Sequence, residues 1–437
     1  MERTYISDIP KSNGKKVKIF GWVEEIRLLG KINFIVLRDR EGNVQIIIKR
    51  GEANEKILDL LKDITKESVI SVEGEVKLNK EAPGGLEVVP YKIDVLSKAE
   101  VPLPIDFSGK VNTTLDKRLD WRFLDLRNPK RLLIFKVLST TEKAMEDFCF
   151  ENNFLKINTP KFMEAASETG SELFEVKYFN KKAYLAQSPQ FYKQMAIAAG
   201  LDKVFEQAPV FRANPSHTSR HDTEYVSFDI EMAFIESFED LMKFEEKWIR
   251  YVIKKIKEVH GEEIRKRFGI EINIPKIPFP RITMKEAKKI LNEKEMEVGE
   301  FYELSSEEEK KLGEYVKKKY GHDFVFLTEF PYSQRPFYHM KKDNQPEITL
   351  SYDLIYKGLE ITTGSQREHR HEILKRQAKE KGIDPKTISF YLNFFKYGCP
   401  PHGGYALSPT RFVMKLLNLP NVRESTLLPR DTERLTP

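Results

Sequence analysis

Five short β-type segments, separated by turn residues, fill the first hundred positions of this chain and restrict its possible folds more than any other feature. Turn signals stand at Glu41-Gly42-Asn43 and at Ala82-Pro83-Gly84-Gly85. A helix is predicted over 54–64, between the third and fourth segments. This is the element order of the OB-fold, a common binder of single-stranded nucleic acid, although strand count alone does not establish it. The five segments are 16–26, 32–39, 43–49, 69–78 and 86–97.

The pattern changes after residue 103. Pro102 and Pro104 mark a linker, and the polar stretch that follows predicts a hinge over 104–130. A helix is predicted over 131–152, where apolar residues recur at helical spacing. Strands and helices then alternate to the C-terminus. We therefore predict three parts: a β-barrel over 1–103, the hinge, and a second domain over 131–437.

Composition narrows the class of protein. A chain of 437 residues with 32% charged side chains suits a globular protein of two or three domains. With Cys149 and Cys399 as its two cysteines, neither a disulfide framework nor a cysteine zinc site is expected. A long apolar stretch and an apolar signal core are both missing, so we expect a cytoplasmic protein without membrane contact. The net charge of +6 permits a nucleic-acid partner without establishing one.

Three segments carry candidate chemistry, and the first is 211–232. Arg212 lies in a predicted strand, and Arg220 and His221 lie in the polar loop after it. A second predicted strand follows the loop and runs back alongside the first. A strand-held guanidinium can clamp a phosphate, and a basic loop can close over outer phosphates. A surface hairpin with ordinary charges explains the same segment.

The second segment is 352–370. Asp353, Glu360 and Thr363 offer hard oxygen ligands suited to Mg²⁺, and the fork of Arg367 could hold a carboxylate. An alternating strand followed by a glycine turn is the structural alternative.

The third segment is 403–437. A glycine-rich strand leads to Arg411, which opens an amphipathic helix. Arginine at such a junction suits a phosphate pocket, and a purely structural junction is equally compatible with the pattern.

Together these segments resemble the three motifs of the class II aminoacyl-tRNA synthetases, in chain order. The segment 154–160, ending at Pro160, resembles motif 1, which lies at the dimer interface of the family. The segment 187–194 resembles the aspartyl signature. The resemblance, to the compact archaeal aspartyl type, implies an α+β fold: an N-terminal OB-fold β-barrel plus a catalytic domain built on an antiparallel sheet. It also implies a homodimer.

The resemblance implies residues for aspartate. Lys193 matches the lysine that pairs with the substrate side-chain carboxylate, where asparaginyl relatives usually carry an apolar residue. Arg367 resembles a second clamp on that carboxylate, and Asp229 the acid near the substrate ammonium group. The full implied set is Glu168, Ser171, Gln190, Lys193, Arg212, Asp229, Thr363 and Arg367.

The resemblance also implies residues for ATP and Mg²⁺. Arg212 and Arg411 are the implied catalytic arginines, and Mg²⁺ would lie at Asp353, Glu360 and Thr363. The implied ATP set is Arg212, Asn214, Arg220, His221, Tyr225, Glu360, Ser408 and Arg411. The sequence departs from the family pattern, which has glutamate at Asn214, glycines at Ala406 and Ser408, and an acid at Thr410. The β carbons at Ala406 and Ser408 are expected to narrow the nucleotide pocket.

The implied partner is tRNA. Phe34 and Gln45 match positions that read the anticodon, although a barrel-core role for Phe34 is the alternative. Glu24 and Pro83 lie where relatives separate tRNA(Asp) from tRNA(Asn). Proline has neither a side-chain donor nor an N–H, so we expect both tRNAs to be charged, with an amidotransferase converting Asp-tRNA(Asn).

Other classes of protein stay open at this point. They are an asparaginyl-type synthetase, an amidating paralogue, and a tRNA-binding paralogue with impaired catalysis.

Overall fold

The computed structural model describes residues 2–51, 55–165, 173–215, 222–292 and 303–437. The chain divides into two compact units, Met1–Thr114 and Leu115–Pro437. The division falls inside the predicted hinge over 104–130, because the residues after Thr114 form two short helices of the second unit. The polar character of this stretch has a structural cause: Arg122 and Asp125 are buried there and pair at 3.0 Å.

The first unit is a closed barrel whose strands follow the order β1-β2-β3-β5-β4. Strands β3 and β5 are parallel, and the other neighbours are antiparallel. The helix lies between the third and fourth strands, so the OB-fold prediction is confirmed. The elements are β1 (Lys16–Leu29), β2 (Ile32–Arg38), β3 (Asn43–Lys49), α1 (Glu55–Asp63), β4 (Val69–Leu78) and β5 (Leu86–Ser97).

Alternating apolar residues fill the barrel. Ile19, Ile35 and Leu37 are fully buried, and α1 adds Ile57 to the same cluster. A β carbon at Gly21 would lie 2.3 Å from the carbonyl oxygen of Arg38, so the close approach of β1 to β2 requires glycine.

The second unit contains the remaining α-helices and strands of the described chain. They are α2 (Leu115–Asp120), α3 (Arg122–Asp125), α4 (Pro129–Glu151), β6 (Leu155–Lys156), β7 (Phe162–Met163), β8 (Glu175–Tyr178), β9 (Lys181–Leu185), α5 (Gln190–Ala198), β10 (Lys203–Phe211), β11 (Glu224–Ala233), α6 (Phe238–Phe268), β12 (Arg281–Thr283), α7 (Met284–Asn292), α8 (Ser306–Tyr320), β13 (Phe324–Thr328), β14 (Lys341–Lys342), β15 (Gln345–Thr349), β16 (Ser351–Tyr356), β17 (Glu360–Gln366), α9 (His371–Glu380), α10 (Ser389–Lys396), β18 (His402–Leu407) and α11 (Pro409–Leu416).

Eight of these described strands form one sheet, in the order β12-β13-β16-β17-β18-β11-β10-β6. The six middle strands are antiparallel, and each outermost strand pairs in parallel with its neighbour. The predicted α+β class with a largely antiparallel sheet is therefore confirmed.

Two long helices, α4 and α6, pack together in the main core of this unit. Trp248 on α6 is fully buried and donates a hydrogen bond to the Met145 carbonyl of α4 at 3.1 Å. On β11, Phe228 and Ile230 belong to the same core. Because side chains alternate along a strand, Asp229 and Glu231 point to the opposite face, where the site lies.

Helix ends follow local sequence signals. Asn128 caps α4 by accepting the Lys130 N–H at 2.9 Å, and Pro129 stands at the first helical position. The helix predicted over 131–152 is thus observed, and it ends at Glu151.

Within the described ranges, no helix combines the length and the apolar character needed to cross a lipid bilayer.

The buried carboxyl group of Glu245 on α6 should make the free energy of unfolding depend on pH. It is fully buried and accepts a hydrogen bond from the Tyr352 hydroxyl at 2.9 Å, and burial raises its pKa from 4.5 to about 8. The folded state therefore binds this proton more tightly than the unfolded state. Its stability is highest below the unfolded pKa and falls as pH rises towards 8.

We expect Glu245→Gln to be more stable than the wild type at pH 8, by on the order of 3 kcal/mol, with little difference near pH 4.5. Urea midpoints at several pH values measure this. Glu262→Gln, an exposed position on the same helix, is the control. Parallel pH profiles for wild type and Glu245→Gln would contradict the assignment.

Candidate active site

Lys193 on α5 lies in a buried ion-pair network. It is 2% exposed, and its Nζ donates to Asp229 Oδ1 at 2.9 Å and lies 3.3 Å from Glu231 Oε2. Asp229 Oδ2 also accepts the Ser227 hydroxyl at 2.6 Å. The structure thus brings together Lys193 and Asp229, which the sequence placed in the aspartate pocket.

Arg367, just after β17, faces the same glutamate from another side. Its Nε and Nη2 donate to the two oxygens of Glu231 at 2.9 and 3.3 Å. Nη1 donates to Ser365 Oγ at 2.6 Å, and Nη2 also donates to the Gly404 carbonyl at 3.0 Å. These contacts fix the plane of the guanidinium group beside Lys193.

Glu231 is the residue that sequence reasoning missed here. Burial alone would raise the pKa of its carboxyl, but the positive charges of Arg367 and Lys193 hold that pKa below its ordinary value. Two cations and two carboxylates therefore balance in this pocket. The available sequence signal for Glu231 was its position two residues after Asp229 on β11, since side chains two residues apart on a strand lie on the same face of the sheet.

The β10–β11 hairpin carries the candidate nucleotide residues. Arg212 follows the last residue of β10, and its guanidinium carbon lies 5.8 Å from the centre of the Tyr225 ring. Its backbone N–H donates to the Thr223 carbonyl at 2.9 Å, which closes the base of the loop. Asn214 is half-buried two residues further on.

Ser408 and Arg411 lie at the start of α11. The Ser408 hydroxyl caps the helix by accepting the Arg411 N–H at 3.4 Å, and it lies 3.1 Å from the Thr410 hydroxyl. Arg411 Nη1 is 3.7 Å from Glu360 Oε2. The serine that departs from the family glycine thus has a capping function.

Two carboxylates and a hydroxyl converge on β16 and β17. Asp353 is paired in register with Thr363, whose hydroxyl donates to Glu360 Oε1 at 3.2 Å. Burial raises the pKa of Asp353 to about 6, although Arg335, at 2.8 Å, acts in the opposite direction. Burial would also raise the pKa of Glu360, but Arg411 and Arg335 keep it lowered.

These oxygens fit a hard divalent cation. In the described part of the chain, no three His, Cys, Asp or Glu side chains are arranged to hold a metal by themselves. Mg²⁺ usually takes only one or two protein carboxylates and completes its shell with phosphate oxygens and water, so two carboxylates suffice. Arg335 was not predicted from the sequence, because no local pattern marks it.

Four predicted site residues lie outside the described residues. They are Glu168, Ser171, Arg220 and His221.

In the barrel, Phe34 lies on the face of β2 opposite the buried Ile35, so it is not a barrel-core residue. Gln45 lies on the same outer face, because Val36 is its partner across β2 and β3. Its Nε2 donates to Glu87 Oε2 at 3.3 Å.

The two positions predicted to separate the tRNAs are also accessible. Glu24 Oε2 accepts from Asn43 Nδ2 at 3.3 Å. Pro83 is exposed at the first position of a short 3₁₀ turn, Pro83–Gly85.

Comparison with known proteins agrees with both units. Residues 114–432 match the family of tRNA synthetases class II (D, K and N), and residues 17–96 match the OB-fold nucleic acid binding domain. The chain is 47% identical to an aspartate–tRNA(Asp) ligase of Pyrococcus horikoshii, with 100% of both chains covered. It is 45% identical to an aspartate–tRNA(Asp/Asn) ligase of Aeropyrum pernix, with 99% of both covered.

A solved structure gives the same fold. The asparaginyl-tRNA synthetase of Pyrococcus horikoshii, in complex with asparaginyl-adenylate, superposes with a TM-score of 0.92 at 34% identity, over 100% of both chains. Fold and site together define a class II synthetase. The chain belongs to the D, K and N family of that class, and the resemblance drawn from its motifs is confirmed.

Proposed function

We propose that this enzyme ligates L-aspartate to tRNA at the expense of ATP, in two steps. The aspartate α-carboxylate attacks the α-phosphate of ATP, which gives aspartyl-adenylate and releases pyrophosphate. The terminal hydroxyl of tRNA then attacks the acyl carbon and releases AMP. Neither step needs a protein nucleophile, so the side chains act by positioning and charge neutralisation.

The arrangement of Lys193, Glu231 and Arg367 carries this proposal. Both cations contact one buried carboxylate, so the pocket already accommodates a carboxylate between two positive groups. A substrate side-chain carboxylate would meet the same pair of cations. The neutral amide of asparagine offers no charge to them, whereas Asp229 suits the ammonium group that both amino acids share.

The other arginines would neutralise phosphate charge. Arg212, beside Tyr225, would contact the α-phosphate, and Arg411 the outer phosphates. Asp353, Glu360 and Thr363 would hold Mg²⁺, which when bound neutralises phosphate charge and polarises the phosphate oxygens. Asn214 would accept a hydrogen bond from the adenine amino group with its carbonyl oxygen.

The asparaginyl alternative rests on the likeness to the asparaginyl-tRNA synthetase structure. Lys193 speaks against it, because a buried ammonium group beside the substrate side chain favours a carboxylate over a neutral amide. The amidating-paralogue alternative is disfavoured by the OB-fold unit that the chain carries. Impaired catalysis was suggested by the departures at Asn214, Ala406, Ser408 and Thr410, and the capping hydrogen bond gives one of these residues, Ser408, a structural function.

Pyrophosphate exchange distinguishes the aspartyl type from the asparaginyl type and from a binding paralogue without catalysis. We expect exchange that depends on aspartate and is not supported by asparagine. Exchange with asparagine would favour the asparaginyl type, and no exchange with either amino acid would favour a binding paralogue.

We infer a homodimer from the motif 1 match through Pro160. Three large apolar side chains near this segment, Phe150, Leu155 and Phe162, are more than half exposed in the single chain, at 53%, 52% and 55%. Contact of these side chains with a second copy of the chain would bury apolar surface. The enzyme would act in the cytoplasm, where its tRNA partners are.

We also infer that both tRNA(Asp) and tRNA(Asn) are charged, and that an amidotransferase would convert the misacylated product. Pro83 is exposed and has no hydrogen-bond donor with which to reject a base. Glu24, held by Asn43, is the second position that would face the discriminating base. The chain resembles relatives of both tRNA specificities, so overall identity does not separate the two. The residues at positions 24 and 83 are a better guide to tRNA specificity than overall identity is.

We expect Pro83→Lys to lower the charging of tRNA(Asn) relative to tRNA(Asp) by roughly tenfold, the effect of one polar contact. Aspartylation of the two purified transcripts measures this ratio. Glu81→Gln, exposed in the same loop, is the matched control because it changes the net charge by the same single positive unit. A wild type that charges tRNA(Asp) alone, or an unchanged ratio in Pro83→Lys, would overturn this inference.

A further inference from the structure

A buried chain of hydrogen bonds runs from the first residues of β18 to Gln190. His402 Nδ1 lies 2.8 Å from the Pro400 carbonyl, and His402 Nε2 lies 2.9 Å from Gln194 Nε2. Gln194 Oε1 accepts from Gln190 Nε2 at 2.8 Å and from the Tyr391 hydroxyl at 2.9 Å. Both His402 and Gln194 are 0% exposed, so bulk solvent does not reach these groups.

Each proton along this chain has one consistent position. A carbonyl can only accept, so His402 Nδ1 must carry a hydrogen and donate to Pro400. Burial lowers the pKa of His402 to about 4, so the ring is neutral and its Nε2 is an acceptor. Gln194 must then turn its NH₂ group to His402 and its oxygen to Gln190.

The orientation of Gln194 in turn fixes that of Gln190. The Gln194 oxygen requires an N–H from Gln190, so the carbonyl oxygen of Gln190 is not used by the network. If the side-chain amide of Gln194 were flipped, its NH₂ group would face Gln190. The carbonyl oxygen of Gln190 would then accept that hydrogen bond, and Gln190 would present only N–H donors to a substrate. The ammonium group of a bound amino acid would then face donors and would lose the Gln190 carbonyl oxygen as a hydrogen-bond acceptor.

We propose that His402 and Gln194 are positioning residues that fix the amide orientation of Gln190, so that the pocket offers the Gln190 carbonyl oxygen to the amino-acid substrate. We call the three residues the amide relay. The proposal rests on the proposed function, in which Gln190 lies in the aspartate pocket beside Lys193, three residues further along α5. The relay acts on amino-acid recognition and does not touch the nucleotide.

Gln194→Met removes the relay and keeps a side chain of similar length. In pyrophosphate exchange we expect KM for aspartate to rise about tenfold, with KM for ATP within about twofold of the wild type. Gln377→Met is the matched control: Gln377 is 1% exposed and donates to two backbone carbonyls, those of Phe337 and His339, outside the relay. We expect its KM for aspartate to stay at the wild-type value.

A double-mutant cycle separates positioning from general packing. If Gln194 acts through Gln190, Gln194→Met should change KM for aspartate little further in a Gln190→Met background. Equal increases in the KM values of aspartate and ATP, or additive effects of the two substitutions, would overturn the relay.

The histidine tautomer gives a readout that needs no activity. Nitrogen NMR of ¹⁵N-histidine-labelled full-length protein should show His402 neutral at pH 7 with the proton on Nδ1, assigned by its loss in His402→Gln. A proton on Nε2 would overturn the relay even if activity behaved as expected. Absence of aspartate-dependent exchange in the wild type would instead contradict the proposed function, and the nitrogen spectrum would still decide the relay.

Discussion

Lys193→Leu is expected to abolish most aspartate activation while ATP still binds. Lys193 is almost fully buried, and its ammonium group pairs with Asp229 at 2.9 Å and lies 3.3 Å from Glu231. Removing one desolvated charge from such a clamp typically costs about 2–5 kcal/mol, which corresponds to a loss of roughly 30-fold or more in kcat/KM for aspartate. Pyrophosphate exchange at varied aspartate measures the loss, and calorimetric titration measures ATP binding.

A control is needed because Lys193→Leu also leaves two buried carboxylates with less compensation. Lys288→Leu removes another mostly buried lysine, which pairs with Glu308 at 3.0 Å between α7 and α8. We expect that variant to lose some stability and to keep its KM for aspartate. If Lys193→Leu activated aspartate as well as the wild type does, the assignment of Lys193 to the substrate carboxylate would be wrong.

Arg122→Met should have the largest effect on stability among the substitutions considered. Arg122 is 2% exposed, and its guanidinium donates to the carbonyls of Leu427, Glu424 and Thr426 at 3.1, 3.1 and 2.9 Å. It also pairs with Asp125 at 3.0 Å. Methionine fills part of the space but leaves these acceptors unpaired, so we expect a loss of about 3–5 kcal/mol in the free energy of unfolding.

The same substitution should free the C-terminal segment. Thr426 donates to Asp222 at 2.7 Å, and the Arg430 carbonyl accepts the Thr223 N–H at 2.9 Å, so this segment supports the start of β11. We expect faster proteolysis after residue 420 in Arg122→Met, together with a lower urea midpoint. Arg376→Met, at an exposed arginine 3.9 Å from Glu380, should change stability by less than about 0.5 kcal/mol. Equal midpoints for wild type and Arg122→Met would exclude this anchoring role.

Sequence patterns determined the local structure well because strand alternation and helix capping depend on neighbouring residues. The five barrel strands and α1 lie within a few residues of their predicted limits. The helix predicted over 131–152 begins at Pro129, which follows the Asn128 cap. The motif order also identified the family, since these motifs depend on spacing along the chain.

The stretch predicted as a hinge over 104–130 contains a contact that its local sequence does not encode. Arg122 is buried there by contacts with residues about 300 positions away. No local pattern distinguishes an arginine that faces water from one that satisfies distant carbonyls.

The candidate site divides in the same way. The sequence by itself named Lys193, Arg367, Asp353 and Arg411, because the family fixes their chemistry at a given motif position. Only the tertiary structure showed that Glu231 lies between Lys193 and Arg367, and that Arg335 contacts Asp353. Glu231 and Arg367 are 136 residues apart in the chain, and their contact depends on β17 and β11 both flanking β18 in the sheet. Side-chain partners of this kind depend on strand order and burial, which alternation within one segment does not encode.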